Sequence, residues 1–157
     1  MMTLHWKQGS DKLDIWHNDS ERSIPCSCLV RNEVNGWRKV NQVVYSIPDQ
    51  QPCQPRIFPA GKWTIGKPLP RRHEYTAPYF IPTNAAQDLP IWKVKDGHYV
   101  HETAKRVHDA GYGLHFSSSN TTLGCIKITN LDDLVQLVDD INYMIYNKIY
   151  PVLIVEE

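Results

Sequence analysis

The sequence predicts a mainly β domain, a β-rich α+β fold with one or two short helices, the longer near the C-terminus. Eleven prolines and eight glycines punctuate the chain, and the segments between them are short and rich in aromatic and β-branched residues. Only one stretch carries a sustained apolar period of three and four residues. At 157 residues the chain suits one domain with a full core and is short for two, so residues 1–157 are read as a single domain.

The elements follow in order. "TLHW" and "KLDIWH" are alternating runs joined by "KQGSD", which is turn chemistry, and together they predict a hairpin. "SIPCSCLVR" and "NQVVYSIP" are the next strands, with "NEVNGWRK" between them and "DQQPCQP" as a proline-punctuated loop. Pro59, Ala60 and Gly61 fit a tight turn, and "KWTIG" is the strand that leaves it. "YTAPYFIPT" and "PIWKVKDGHYV" read as extended. "ETAKRVHDAG" lacks strand alternation, contains good helix formers and ends on Gly111, which predicts a short helix. "YGLHF" and "CIKI" are strands. In "TNLDDLVQLVDDINYMI", Leu131, Leu134, Val135, Val138 and Ile141 share one helical face, and Thr129 with Asp132 forms a capping box. "PVLIVEE" closes the chain as a buried strand.

Seventeen basic residues balance seventeen acidic ones, so no global field gathers nucleic acid or an anionic membrane. The apolar C-terminal run is too short to cross a bilayer, and the first twenty residues are polar, without a signal region. Cys26, Cys28, Cys53 and Cys125 are too few and too scattered for a disulfide scaffold, and none forms a C-x-x-C pair. Cys26 and Cys28 read as small buried side chains.

"GLHFSSSNTTLGCIKI" is the stretch that carries chemistry. His115 and Cys125 stand ten positions apart, joined by small and hydroxylated residues. A cysteine becomes a nucleophile when a neighbouring base or positive field favours its thiolate, and histidine is the usual partner. Gly124 permits a sharp turn just before the thiol, so that amide N–H groups converge on a developing oxyanion. The stretch is therefore read as a Cys-His site on neighbouring strands. A zinc site built from His98, His101, His108, His115 and Cys125 is the rival. His108 follows His101 by seven positions instead of four, so the two do not make the i, i+4 pair of a zinc protease. No metal and no cofactor are expected. His5, His17 and His73 are assigned to the surface, and Arg71, Arg72 and His73 to a solvated loop.

These residues resemble the L,D-transpeptidase (YkuD-like) catalytic domains of bacterial cell-wall enzymes. In that family a histidine strand is followed by [Ser/Thr]-x-Gly-Cys, an aliphatic residue and arginine; here stand Thr122, Leu123, Gly124, Cys125, Ile126 and Lys127. "IFPAGKWTIGKP" and "TAPYFIP" are similar to the segments that precede the histidine strand, and "ITNLDDLVQLVDDI" to the helix that follows. The likeness spans Thr3 to Val155 and is specific around His115 to Asn130. The chain departs from the pattern in a shorter His-to-Cys spacing, with Phe116, Leu123 and Lys127 where the family carries glycine, histidine and arginine.

The resemblance implies a transpeptidase-like β-sandwich and a peptidoglycan-modifying cysteine enzyme. Cys125 would attack a stem tetrapeptide and His115 would carry the proton. A loop carbonyl or hydroxyl, with Ser117 and Ser118 the candidates, would orient the imidazole, and Cys125 and Gly124 would supply oxyanion donors. Tyr79, Thr122 and Lys127 would contact substrate. Transfer to an amine gives crosslinking or D-amino-acid exchange, and transfer to water gives carboxypeptidase activity. A catalytically silent wall-binding module is the alternative from another class. The work would lie in the periplasm or cell wall, reached by non-Sec secretion, phage origin or a lost leader; an antibacterial effector would bring an immunity or delivery partner.

Overall fold

The computed structural model describes residues 1–28, 58–72, 76–95, 98–117 and 124–157, with backbone alone for 89–95, 98–107 and 109. The expected segments "NEVNGWRK", "NQVVYSIP" and "DQQPCQP", and residues Cys53, His73, Ser118, Thr122 and Leu123, lie outside the described set. The protein is mainly β, with a curled sheet and a C-terminal helix.

Strands β1 (Met2–Lys7), β2 (Lys12–His17) and β3 (Ser20–Ser27) form an antiparallel meander, as the turn chemistry predicts. Strand β4 (Gly61–Thr64) follows the Pro59–Ala60 turn; β5 (Leu69–Pro70) and β6 (Tyr79–Pro82) are a short antiparallel pair. Strands β7 (Ala86–Lys95) and β8 (His98–Ala110) make a separate two-stranded ribbon. Strands β9 (Gly113–Phe116) and β10 (Ile126–Ile128), helix α1 (Leu131–Tyr146) and β11 (Val152–Glu156) complete the order. The main sheet runs β4-β11-β1-β2-β3-β10-β9-β6-β5. Its terminal strand β11 lies parallel to β1, so the closing segment is stitched between β1 and the edge strand β4.

One face of this sheet is the core. Met2, Leu4 and Trp6 of β1, Leu13 and Ile15 of β2, Ile24 and Cys26 of β3, Leu114, Ile126 and Ile128 are all buried. The strand period of two places them on a common side. Helix α1 covers that side with Leu134, Leu137, Val138, Ile141 and Met144. Arg22 of β3 reaches Asp140 at 3.0 Å and ties the helix to the sheet. No helix among the described residues is long and apolar enough to cross a membrane.

Several expectations are corrected. The predicted helix at "ETAKRVHDAG" is part of β8, because pairing with β7 on both sides of a register shift, from Arg106 through Ala110 and again from Glu102 back to His98, outweighs the helix propensity of a few residues. Gly111 (φ +89) therefore turns β8 into β9 and caps no helix. Leu131 and Val135 are exposed rather than on the buried face. The N-cap is Asn130, whose side chain accepts from the Asp133 N–H at 3.0 Å, in place of the Thr129 capping box. His5 and His17 are half-buried beside carboxylates instead of free on the surface, His5 lying 3.1 Å from Glu156.

Candidate active site

Backbone register assembles the site. Strands β9 and β10 run parallel, with Ile126 opposite Leu114, Lys127 opposite His115 and Ile128 opposite Phe116. Ser117 N–H donates to the Ile128 carbonyl at 3.3 Å and locks this register at its far end. Leu114, Ile126 and Ile128 take the core face, so alternation sends His115, Lys127 and Cys125 to the other. A hairpin return would have placed Cys125 beyond the far end of β9. The parallel return sets it beside the start of β9, one strand across and two residues along from His115. Strand spacing and rise make that roughly 8 Å between Cα atoms, within the combined reach of an imidazole and a thiol.

Two glycines permit this arrangement. Gly124 is buried with φ +118, a conformation that side chains rarely adopt, and it swings the chain into β10 directly ahead of the thiol. Gly113 lets β9 approach β6 closely: a Cβ there would fall inside the Ile81 carbonyl and the Phe80 ring. Phe80 is consequently registered opposite His115, with ring centroids 6.3 Å apart.

The imidazole is held in one tautomer. His115 Nδ1 lies 3.0 Å from the Phe116 carbonyl oxygen. A carbonyl only accepts, so Nδ1 carries the proton and Nε2 keeps its lone pair. His115 is 8% exposed. Burial, chiefly, and then the Lys127 ammonium hold its pKa below the usual 6.5, against the opposing Phe116 hydrogen bond. The ring is thus a neutral base at neutral pH, pointed by the backbone.

The remaining residues fall into place around this pair. Cys125 is half-buried, and its S–H points to the Gly111 carbonyl across 4.0 Å. Lys127 is 3% exposed between His115 and Ser27, so its charge acts on its neighbours rather than as an open grip on a substrate carboxylate. Ser117 contributes a backbone bond to β10. The carbonyl that orients His115 belongs to Phe116 and not to Ser117. Tyr79 stands on the face opposite His115 and packs on the core, so it is not the cleft wall expected of it. Phe80 is the residue of β6 that faces His115, and strict alternation from "YFIP" was the available signal. His108, a member of the rival zinc set, is exposed on the ribbon and lies 3.2 Å from Asp88. Among the described residues no group of three His, Cys, Asp or Glu gathers at metal-binding distance.

No family model, no curated protein and no solved structure matches this chain.

Proposed function

We propose that this protein is a cysteine acyltransferase acting on peptidoglycan stem peptides through a thioester on Cys125. The carrying observation is the His115 imidazole, fixed with Nδ1 on the Phe116 carbonyl, on the same sheet face as Cys125 one parallel strand away. The choice of stem tetrapeptide as acyl donor is supported by the likeness of His115 and Thr122 to Lys127 to the L,D-transpeptidase pattern. The reading implies work in the periplasm or cell wall.

The chemistry follows from the tautomer. Nε2 of His115 takes the Cys125 thiol proton as sulfur attacks the carbonyl of the third stem residue. The carbonyl electrons move onto oxygen, and backbone N–H at Cys125 stabilises the oxyanion. Collapse breaks the amide bond, and the leaving D-alanine amine takes the proton back from Nε2. An amine acceptor, or water, then loses its proton to Nε2 as it attacks the thioester, which frees the thiol and defines the product. The buried Lys127 ammonium adds a positive field that favours thiolate.

Mass spectrometry of tetrapeptide muropeptides, with and without a D-amino acid, tests this with the protein and its Cys125→Ala variant. Crosslinked dimers, exchanged stems or tripeptides should form only with the intact cysteine, and His115→Ala should lower kcat about 10²- to 10⁴-fold. Muropeptides of several stem chemistries returning unchanged from a folded protein would overturn the reading.

A further inference from the structure

Cys28 lies just past the end of β3, outside the motif that carries the resemblance. Its side chain packs against the core. Its S–H donates to the Gly124 carbonyl oxygen at 3.4 Å, and the Phe58 N–H donates to its sulfur. The thiol therefore bridges two backbone segments, and one of them is the residue that leads into Cys125.

The geometry of a peptide bond gives that contact a consequence. Among the described residues the cis bond is Ala77–Pro78, so Gly124–Cys125 is trans. In a trans peptide the C=O and the following N–H sit on one rigid plane and point in opposite directions. Holding the Gly124 oxygen therefore aims the Cys125 N–H. The plane needs such a hold, because a glycine at φ +118 has no Cβ to restrict its rotation. We propose that Cys28 is a positioning residue: its thiol, seated on Phe58, pins the Gly124 carbonyl and directs the Cys125 N–H at the oxyanion formed when Cys125 is acylated. The anchor keeps its proton, since burial above all pushes the Cys28 thiol up to about 12. This inference rests on Cys125 acting as an acyl-accepting nucleophile, and not on stem peptides being its substrate.

Two reagents separate positioning from mere folding. With p-nitrophenyl acetate, the Cys125 sulfur bonds to the acetyl carbon and an oxyanion forms. Its collapse expels p-nitrophenolate, leaving S-acetyl-Cys125, while the thiol proton passes through His115 to solvent. With iodoacetamide, sulfur displaces iodide from carbon and no oxyanion arises. Both rates are read at Cys125 by peptide-resolved mass spectrometry on the full chain. Cys28→Ala should slow acetylation about ten- to hundred-fold while alkylation stays within about twofold. Cys28→Ser, which keeps a donor, should recover most of the loss.

The proposal is overturned if both rates fall together, or if acetylation is unchanged in Cys28→Ala. It also falls if Cys28→Ser is as slow as Cys28→Ala, or if the native Cys125 alkylates but does not acetylate. Should Cys28→Ala fail to fold, Cys28→Val refills the volume without a donor and must show the same contrast; failure of both to fold marks Cys28 as structural and refutes positioning. Unchanged muropeptides beside an intact acetylation contrast would reject the stem-peptide reading alone.

Discussion

The titration of the His115 imidazole is set by its surroundings. Burial and the Lys127 ammonium lower its pKa, and the Phe116 carbonyl partly offsets them. Catalysis that needs a free Nε2 must therefore lose rate as pH falls through a value below 6.5. Stability follows the same sign: the folded state binds the His115 proton more weakly than the unfolded chain, so its contribution is full above 6.5 and is lost as pH falls. Lys127→Met removes a repelling charge while nearly conserving volume. The acid limb of the pH–rate profile should then move to higher pH, and a downward or absent shift would contradict the electrostatic role given to Lys127.

At the scale of elements, the site depends on a close approach of β6, β9 and β10. Gly113 is the tightest point, where a methyl group would meet backbone at Ile81 as well as the Phe80 ring. Gly113→Ala should cost about 1–3 kcal/mol, read from urea unfolding midpoints, and should lower activity beyond that loss by displacing His115. An unaffected midpoint would show that the two strands have slack. Strand existence was legible here because "GLHF" and "CIKI" are short apolar runs beside turn residues. Their parallel pairing was not, since register comes from the whole sheet rather than from the loop between them. The same limit explains the miss at "ETAKRVHDAG", where Ala104, Lys105 and Arg106 suit a helix in isolation but a long partner strand is available. The C-terminal helix was read correctly because five apolar residues at spacings of three and four do not fit a strand. Its first turn was misjudged because the periodic stripe runs on past the part that covers the sheet, leaving Leu131 and Val135 exposed.

At the scale of the molecule, a sheet with one apolar face places the candidate pair on the other. The core side is closed by α1 and by β11 lying parallel to β1. Residues of opposite parity on β9 and β10 are thereby left for His115, Lys127 and Cys125. The candidate pair His115 and Cys125 was named from the sequence, whereas the Phe116 carbonyl on the imidazole, the Phe80 ring beside it and the Cys28 contact with Gly124 were not. Those three act through backbone geometry or through partners distant in sequence, and neither leaves a mark in a local motif.

The most direct measurement is the long-range nitrogen–proton NMR spectrum of the His115 imidazole, followed over pH before and after Cys125 is capped as a methyl disulfide. Expected are a protonated Nδ1, an unprotonated Nε2, a midpoint below 6.5 and an Nε2 resonance that moves when the thiol is capped. A proton on Nε2, or a ring indifferent to the state of Cys125, would contradict the pairing on which the proposed chemistry stands.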